Sequence, residues 1–297
     1  MHDHAGEHNH DHSSTSNIRL AFFVNILFTV IEAAGGILTN SLAILSDALH
    51  DLGDSFSIGL SWYFEKVSGR QRSEAYSYGY RRFSLLGALI NSVVLIAGSV
   101  LIIARAVPRI INPQPVHVPG MLMFAVAGIV VNGIAVLRLR KGRKINERVI
   151  MIHLAEDVLG WAAVLIGSIV MYFTGLTVID PILSVAITVF VFIQIYRNIR
   201  QTLRILLQSV PSGIDSENVK NRLLMNSKII DVHDLHLWSM DGAYNVSSLH
   251  VVVPDETGRE DIISVKEWVR QCMKDLGVQH ATIEVGWESE DCGLDGC

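Results

Sequence analysis

Six apolar segments limit what this chain can fold into: Ile18 to Leu38, Ser41 to Phe64, Phe83 to Val107, Val116 to Leu137, Val149 to Thr174 and Val178 to Leu206. Each is about 20 residues or longer, enough for an α-helix to cross a bilayer core, and a helix satisfies its own backbone polar groups there. This stretch is therefore no ordinary soluble domain. The remainder is chemically different. Residues 211–297 hold 16 acidic and 7 basic side chains, a net charge of −9, against +4 for residues 1–210. The chain thus reads as residues 1–17, a His-rich disordered tail; 18–210, a six-helix transmembrane domain; and 211–297, a separate cytoplasmic domain. No basic face large enough to neutralise phosphates is visible, which excludes nucleic acid as a partner.

Lys and Arg in the short loops set the orientation. Lys66, Arg70, Arg72, Arg81 and Arg82 lie between segments two and three, and Arg138, Arg140, Lys141, Arg143, Lys144 and Arg148 between four and five. Both loops are expected to be cytoplasmic, and six crossings then put both termini in the cytoplasm. The tail has His2, His4, His8, His10 and His12 but neither the apolar stretch nor the cleavage pattern of a signal peptide. Asp180-Pro181 predicts a helix start, with Asp as N-cap and Pro in the first turn. After Pro211, Ile214 to Asn226 and Asp261 to Leu276 read as helices. Ile229 to Met240, Tyr244 to Val253 and Gln279 to Trp287 read as strands, the first two joined by an Asp241-Gly242 turn. The order α-β-β-α-β predicts a small open sheet covered by helices on one face. Three cysteines, all in this acidic part, suggest no disulfide scaffold.

Ionisable residues inside spanning helices are expensive, so each is a functional candidate. Segment two contains His50-x-x-x-Asp54 and segment five His153-x-x-x-Asp157. A spacing of four puts His and Asp on one helix face, one turn apart. Two such pairs on facing helices offer two imidazoles and two carboxylates, a tetrahedral set for which zinc is the leading ion. Asp47, Asp51 and Glu156 adjoin the pairs off that face and are assigned supporting or polar-cavity roles. Glu32, Asn25, Asn91 and Asn132 read as hydrogen-bonding links between helices.

Ser-Leu-Ala-Ile-Leu-Ser-Asp-Ala-Leu-His-Asp-Leu-Gly-Asp-Ser at 41–55, Tyr-Gly-Tyr-Arg-Arg at 78–82 and the second His-x-x-x-Asp together resemble the cation diffusion facilitator family. Six spans before an α-β-β-α-β domain match it as well. The resemblance implies a metallochaperone-like α+β fold for residues 211–297, with regulatory and dimerisation roles. It also implies a proton-coupled zinc exporter, not an enzyme, working as a homodimer in the lipid bilayer, with Cd²⁺ or Co²⁺ as secondary cargo. Tyr76, Tyr78 and Tyr80 stand where some members place a loop histidine, so a metal site in that loop is expected to be missing. Lys141 to Arg148 holds no histidine, unlike the corresponding loop of many animal members, and Ser84 replaces an acidic residue of several relatives.

Charge accounts for exchange. Two ionised Asp and two neutral His carry −2, which either one Zn²⁺ or two protons cancel, so the empty site is the state that resists moving through low dielectric. Imidazoles change charge between pH 5 and 8, which makes His50 and His153 the expected proton carriers, a role that buried carboxyls could share. In the C-terminal part, strand alternation puts His233 with Leu235 on one face and His236 with Trp238 on the other. His233, His250 and Glu284 could converge as a regulatory zinc site, with Cys292 and Cys297 as further ligands, while Cys272 has no metal role. The histidines at positions 2 to 12 could capture metal. Lack of a transit sequence points to a bacterial inner membrane. The competing reading is a zinc-binding membrane sensor or scaffold that moves nothing.

Overall fold

The computed structural model describes residues 11–68, 72–139 and 145–290. They form α1 (Asp11–Thr39), α2 (Leu42–Ser68), α3 (Phe83–Ile111), α4 (Val118–Leu139), α5 (Ile145–Thr174), α6 (Ile179–Leu206), α7 (Ser216–Leu223), β1 (Asp231–Ser239), β2 (Asn245–Val253), α8 (Arg259–Asp275) and β3 (His280–Trp287). Two compact units result, Met1–Lys66 with Gly87–Ile199, and Val67–Leu86 with Arg200–Cys297. The long helices and the α-β-β-α-β order are those expected. One boundary differs: the chain is already helical at Asp11, where the described residues begin, seven residues before Ile18, because nothing between them is Gly or Pro and no residue stops the helix. His12 therefore falls within α1, whereas His2, His4, His8 and His10 lie outside the described residues.

In the first unit, α3, the stretch Leu154–Thr174 and α6 are each long and apolar enough to cross a membrane, and Asn25–Thr39 and Val118–Ile134 are shorter apolar helices. α2 lies outside that group because its centre carries Asp47, Asp51 and Asp54, the residues that make it interesting. Small residues set the helix spacing. A Cβ on Gly128 of α4 would stand 2.3 Å from the Trp161 ring of α5, and one on Gly53 of α2 would stand 2.4 Å from Leu95 of α3. Both glycines let the neighbouring side chain lie directly on helix backbone.

The N-terminus of α2 is held by a different residue from the one sequence reasoning assigns. Asp180 was expected to cap its own helix, but α6 begins one residue earlier, at Ile179. The Asp180 carboxylate instead accepts from Ser41 Oγ (2.5 Å), Leu42 N (2.8 Å) and Ala43 N (3.2 Å). Ser41 Oγ in turn accepts from Ile44 N at 3.2 Å. First-turn N–H groups have no intrahelical acceptor, and a fully buried carboxylate supplies one together with a favourable charge at the positive end of the helix dipole. One turn further along, Ser46 Oγ lies 2.7 Å from Ser184 Oγ and 3.4 Å from Thr188 Oγ1, all buried. α2 is thus tied to α6 by polar bonds from its first residue to one turn short of His50.

In the second unit, β2 is the central strand, antiparallel to β1 and parallel to β3. The parallel pair needs a crossover, which α8 provides. Val232, Leu237, Leu249, Val251 and Val253 of the sheet bury against Val219 and Leu223 of α7 and Val265, Val269 and Met273 of α8. The segment between α2 and α3 folds with this unit. Arg81 Nη1 bonds Asp241 Oδ2 at 3.3 Å while its guanidinium sits 4.1 Å from the centre of the Tyr244 ring, and Tyr78 meets His280 edge to face at 6.0 Å. The Tyr-Gly-Tyr-Arg-Arg motif therefore serves here as a docking segment.

Asp180→Ala leaves two backbone N–H groups and a hydroxyl without their acceptor in a buried position. Loss of a cap costs about 0.5–2 kcal/mol and each buried unsatisfied group about 1–3 kcal/mol, so the thermal midpoint of the purified protein in detergent should fall by several degrees. Asp180→Asn, which keeps one acceptor oxygen, should fall less.

Candidate metal-transport site

His50 and Asp54 lie on one face of α2, with Nε2 and Oδ2 3.8 Å apart, and His50 is 8% exposed. Asp157 of α5 is 9% exposed. His153 stands one helical turn before it, and its side chain lies outside the described residues. α2 and α5 approach each other at Asp47, whose Oδ1 would lie 3.3 Å from a Cβ on Gly160. Asp51, Asp54 and Asp157 are close enough for their charges to bear on Asp47. Carboxylates of the two helices carrying the His-x-x-x-Asp pairs thus share one buried neighbourhood.

The supporting residues divide by contact. Asp47 and Asp51 are both 5% exposed. Asn25 of α1 donates to Ser55 Oγ at 2.9 Å and to the Asp51 carbonyl at 3.3 Å, and Asn91 of α3 donates to Ser57 Oγ at 2.7 Å. Both amides link helices around α2, as the sequence suggests for them. Glu156 is half-buried and accepts from Gln194 of α6 at 3.5 Å, a long contact. Glu32 is 1% exposed and its carboxyl meets that of Asp51, a bond between α1 and α2 of the kind the sequence suggests.

The C-terminal cluster is arranged by a β-bulge that strict alternation misses. His233 pairs with His250 and His236 with Ser248, so Asp234 and Leu235 together oppose Leu249. Asp234 takes the extra position at φ 49°. Leu235 therefore packs with the core, and His236 comes to the same side as His233, correcting the expectation that they face opposite ways. On that side His250 Nε2 lies 2.7 Å from Glu284 Oε2 and 3.9 Å from Asp234 Oδ2, and His236 Nε2 lies 2.6 Å from Asp234 Oδ1. The His233 and His250 rings meet edge to face at 5.4 Å, lining with Glu284 a cleft of about 100 Å³. Asp234 is the member of this cluster that sequence reasoning did not place.

His233 also bonds Asp231 at 3.2 Å, across from Lys220 at 3.1 Å. Partial burial pushes the Asp231 carboxyl up, but hydrogen bonds from Lys220, the Val232 backbone and His233 outweigh it and hold the group below the usual carboxylate range. Among the described residues, no three His, Cys, Asp or Glu are grouped as a bound metal requires. The imidazoles are paired with carboxylates instead. Cys272 is buried, and burial pushes its thiol up, away from the thiolate that binds metal. Cys292 and Cys297 lie outside the described residues.

Residues 18–207 match the family model described as the cation efflux transmembrane domain, and residues 211–286 match that of the cation efflux protein cytoplasmic domain. A cadmium, cobalt and zinc/H(+)-K(+) antiporter of Bacillus velezensis is 33% identical over 285 residues, spanning 94% of this chain and 91% of the relative. Its Bacillus subtilis counterpart is 31% identical, spanning 96% and 93%. Zinc transporter ZitB of Escherichia coli is 29% identical, spanning 99% and 95%. With buried His and Asp on paired helices, and both family models matched along nearly its whole length, the chain is a multi-pass membrane protein of the cation efflux family.

Proposed function

We propose that this chain exports Zn²⁺ from the cytoplasm in exchange for protons by alternating access, with His50, Asp54, His153 and Asp157 as the ligands of the moving ion. The observation that carries this reading is the His50–Asp54 pair near the middle of an intramembrane helix, His50 buried and Asp54 half-buried, with Asp157 buried on the other His-x-x-x-Asp helix. A protein that only senses or stores metal has no need of ligands at that depth. Two imidazoles and two carboxylates suit zinc's tetrahedral preference, and Cd²⁺ and Co²⁺, which the Bacillus relatives' names include, are secondary cargo.

Exchange follows from charge. Metal binding needs deprotonated ligands, so protons and Zn²⁺ compete for the same atoms. Either cargo neutralises the two carboxylates, and the site crosses between its two accesses when neutral. Asp47, Asp51 and Glu156 keep the surroundings polar. The basic loops put both termini in the cytoplasm of a bacterial inner membrane. The chain works as a homodimer joined through residues 211–297, and the histidines at positions 2 to 12 gather metal near the entrance.

The cleft between His233, His250 and Glu284 takes a regulatory Zn²⁺, with Cys292 and Cys297 supplying additional sulfur ligands. His233 must leave Asp231 to complete that site. Metal that binds the tighter arrangement stabilises it by mass action, which favours the closed dimer when cytoplasmic zinc is high.

Proteoliposomes loaded with a zinc indicator test the main reading. Uptake should accelerate under one sign of pH gradient and slow under the other, and imposed K⁺ gradients show whether potassium takes part. The His153→Ala, Asp157→Ala double substitution should weaken Zn²⁺ binding by about 100-fold or more, since loss of an outer partner alone costs about 10–100-fold. Binding that persists in the wild type with no flux under any gradient would establish the sensor or scaffold. For the cytoplasmic site, His233→Ala with His250→Ala should leave saturated uptake within about twofold while abolishing activation by added zinc, as linkage requires of a regulatory ligand.

A further inference from the structure

In the first unit, α1, α2 and α3 leave between them an apolar groove of about 410 Å³ that no carboxylate lines. Glycines bring its walls onto α2. A Cβ on Gly36 of α1 would stand 2.7 Å from Leu45, and one on Gly98 of α3 would stand 2.4 Å from Leu49, so two leucines of α2 lie directly on the backbones that flank it. The rim is open hydrocarbon, with Val30, Leu52 and Leu101 all exposed. The groove holds one charged side chain, Arg105 of α3. Between Arg105 and the end of α3 at Ile111 the helical rise gives about 9 Å, which puts the guanidinium stem below the helix end. Thr29 also lines the groove, but its hydroxyl is spent on the Asn25 carbonyl at 2.9 Å.

The two arginines at this end of α3 differ in what they hold. Arg109 donates to the Asn40 carbonyl at 3.0 Å and to Asn40 Oδ1 at 2.9 Å. Arg105 makes no hydrogen bond or ion pair among the described residues. A cation at the edge of the hydrocarbon without an acceptor is costly, and its long stem lets the head reach for the interface. The acceptor present there is the phosphate of a lipid headgroup, which a guanidinium takes through two parallel N–H bonds. We propose that the groove binds one anionic phospholipid, with its phosphate on Arg105 and an acyl chain lying along α2 between α1 and α3. Charge selects the lipid class. The ammonium of a zwitterionic headgroup finds no carboxylate in the lining, whereas a net negative headgroup meets an uncompensated cation. Direction agrees as well: from Arg105 the groove runs back along α3 to Gly98, about 10 Å of helix, as a chain hanging from its headgroup would. A second copy of this chain fits less well, because a twofold interface would bring the same patch, with Arg105 and no carboxylate, against itself. The bound chain would rest on Leu49 and Leu52, on the helix that carries His50 and Asp54. The proposal does not depend on the exchange reading.

The test titrates the purified full-length chain in detergent with phosphatidylglycerol, and separately with phosphatidylcholine of the same acyl chains, and counts retained lipid by native mass spectrometry. The wild type should hold its first phosphatidylglycerol about tenfold more tightly than phosphatidylcholine, the scale of one charge-assisted hydrogen bond. Arg105→Gln should erase that preference, and Arg105→Lys, which keeps the charge, should retain most of it. Ala33→Leu puts bulk into the groove with the arginine intact and should weaken both lipids, a change that headgroup charge alone does not predict. Equal retention of the two lipids by the wild type, or an unchanged preference in Arg105→Gln, overturns the proposal. So does displacement of phosphatidylglycerol by inorganic phosphate at equal concentration, which would mark a simple anion site, and so does an Arg105→Gln variant that changes the number of chains per particle while keeping its lipid, which would mark an interface between copies. Should Arg105→Gln fail to fold, Ala33→Leu decides: lost retention supports the groove as the site, and unchanged retention rejects it.

Discussion

The energetics of this chain turn on placing carboxylates and imidazoles where water is scarce. His50, Asp47, Asp51, Asp157 and Glu32 are all at least nine-tenths buried in helices built mainly of apolar residues. Hydrocarbon offers no compensation for a charge, so each group must be neutralised by a proton, a metal ion or a hydrogen-bond donor. α2 concentrates three acids and a histidine within eight residues, and most of the surrounding polar machinery attends to that helix. Asn25 and Asn91 grip it from α1 and α3, and Asp180, Ser184 and Thr188 from α6.

Those contacts divide α2 into an anchored end and a chemical centre. Asp180 and the Ser46–Ser184 contact hold the first turns, while beyond them the helix presents His50, Asp51 and Asp54. Gly53 removes a side chain beside the His50–Asp54 pair, so Leu95 of α3 seals one flank with hydrocarbon. A polar site in a membrane needs both features. It needs a backbone that does not yield to the pull of a divalent ion, and an apolar wall that keeps water from screening the charges that couple metal to protons.

Much of this was legible in the sequence because helical periodicity and hydropathy are local properties. The six long helices, the α-β-β-α-β order and the spacing of His50 with Asp54 follow from counting residues. What was not legible depended on distant partners. Asp180 looks like an N-cap of the helix it sits in, and only the approach of α2, some 140 residues earlier, reveals which N–H groups it serves. Glu32 reads as a helix-to-helix hydrogen bond, but that its partner is another acid, Asp51, is visible only once the helices are placed. Arg81 reads as a cytoplasmic loop charge by the basic-loop rule, yet its guanidinium also packs on Tyr244 and pairs with Asp241.

The two His-containing clusters show how backbone periodicity decides which residues can act together. In α2 a separation of four brings His50 and Asp54 to one face without any irregularity, because four residues are close to one turn. In β1 the separation of three between His233 and His236 should place them on opposite faces, where they could share nothing. The extra residue at Asp234 cancels that mismatch, at the expense of a left-handed backbone conformation that Asp tolerates better than most residues. A bulge so placed also sets the Asp234 carboxylate between His236 and His250. The strand thus gives up one unit of regular pairing and gains a same-face cluster of three imidazoles and two carboxylates, a donor set that an unbroken strand with this sequence would have split between its core and its surface.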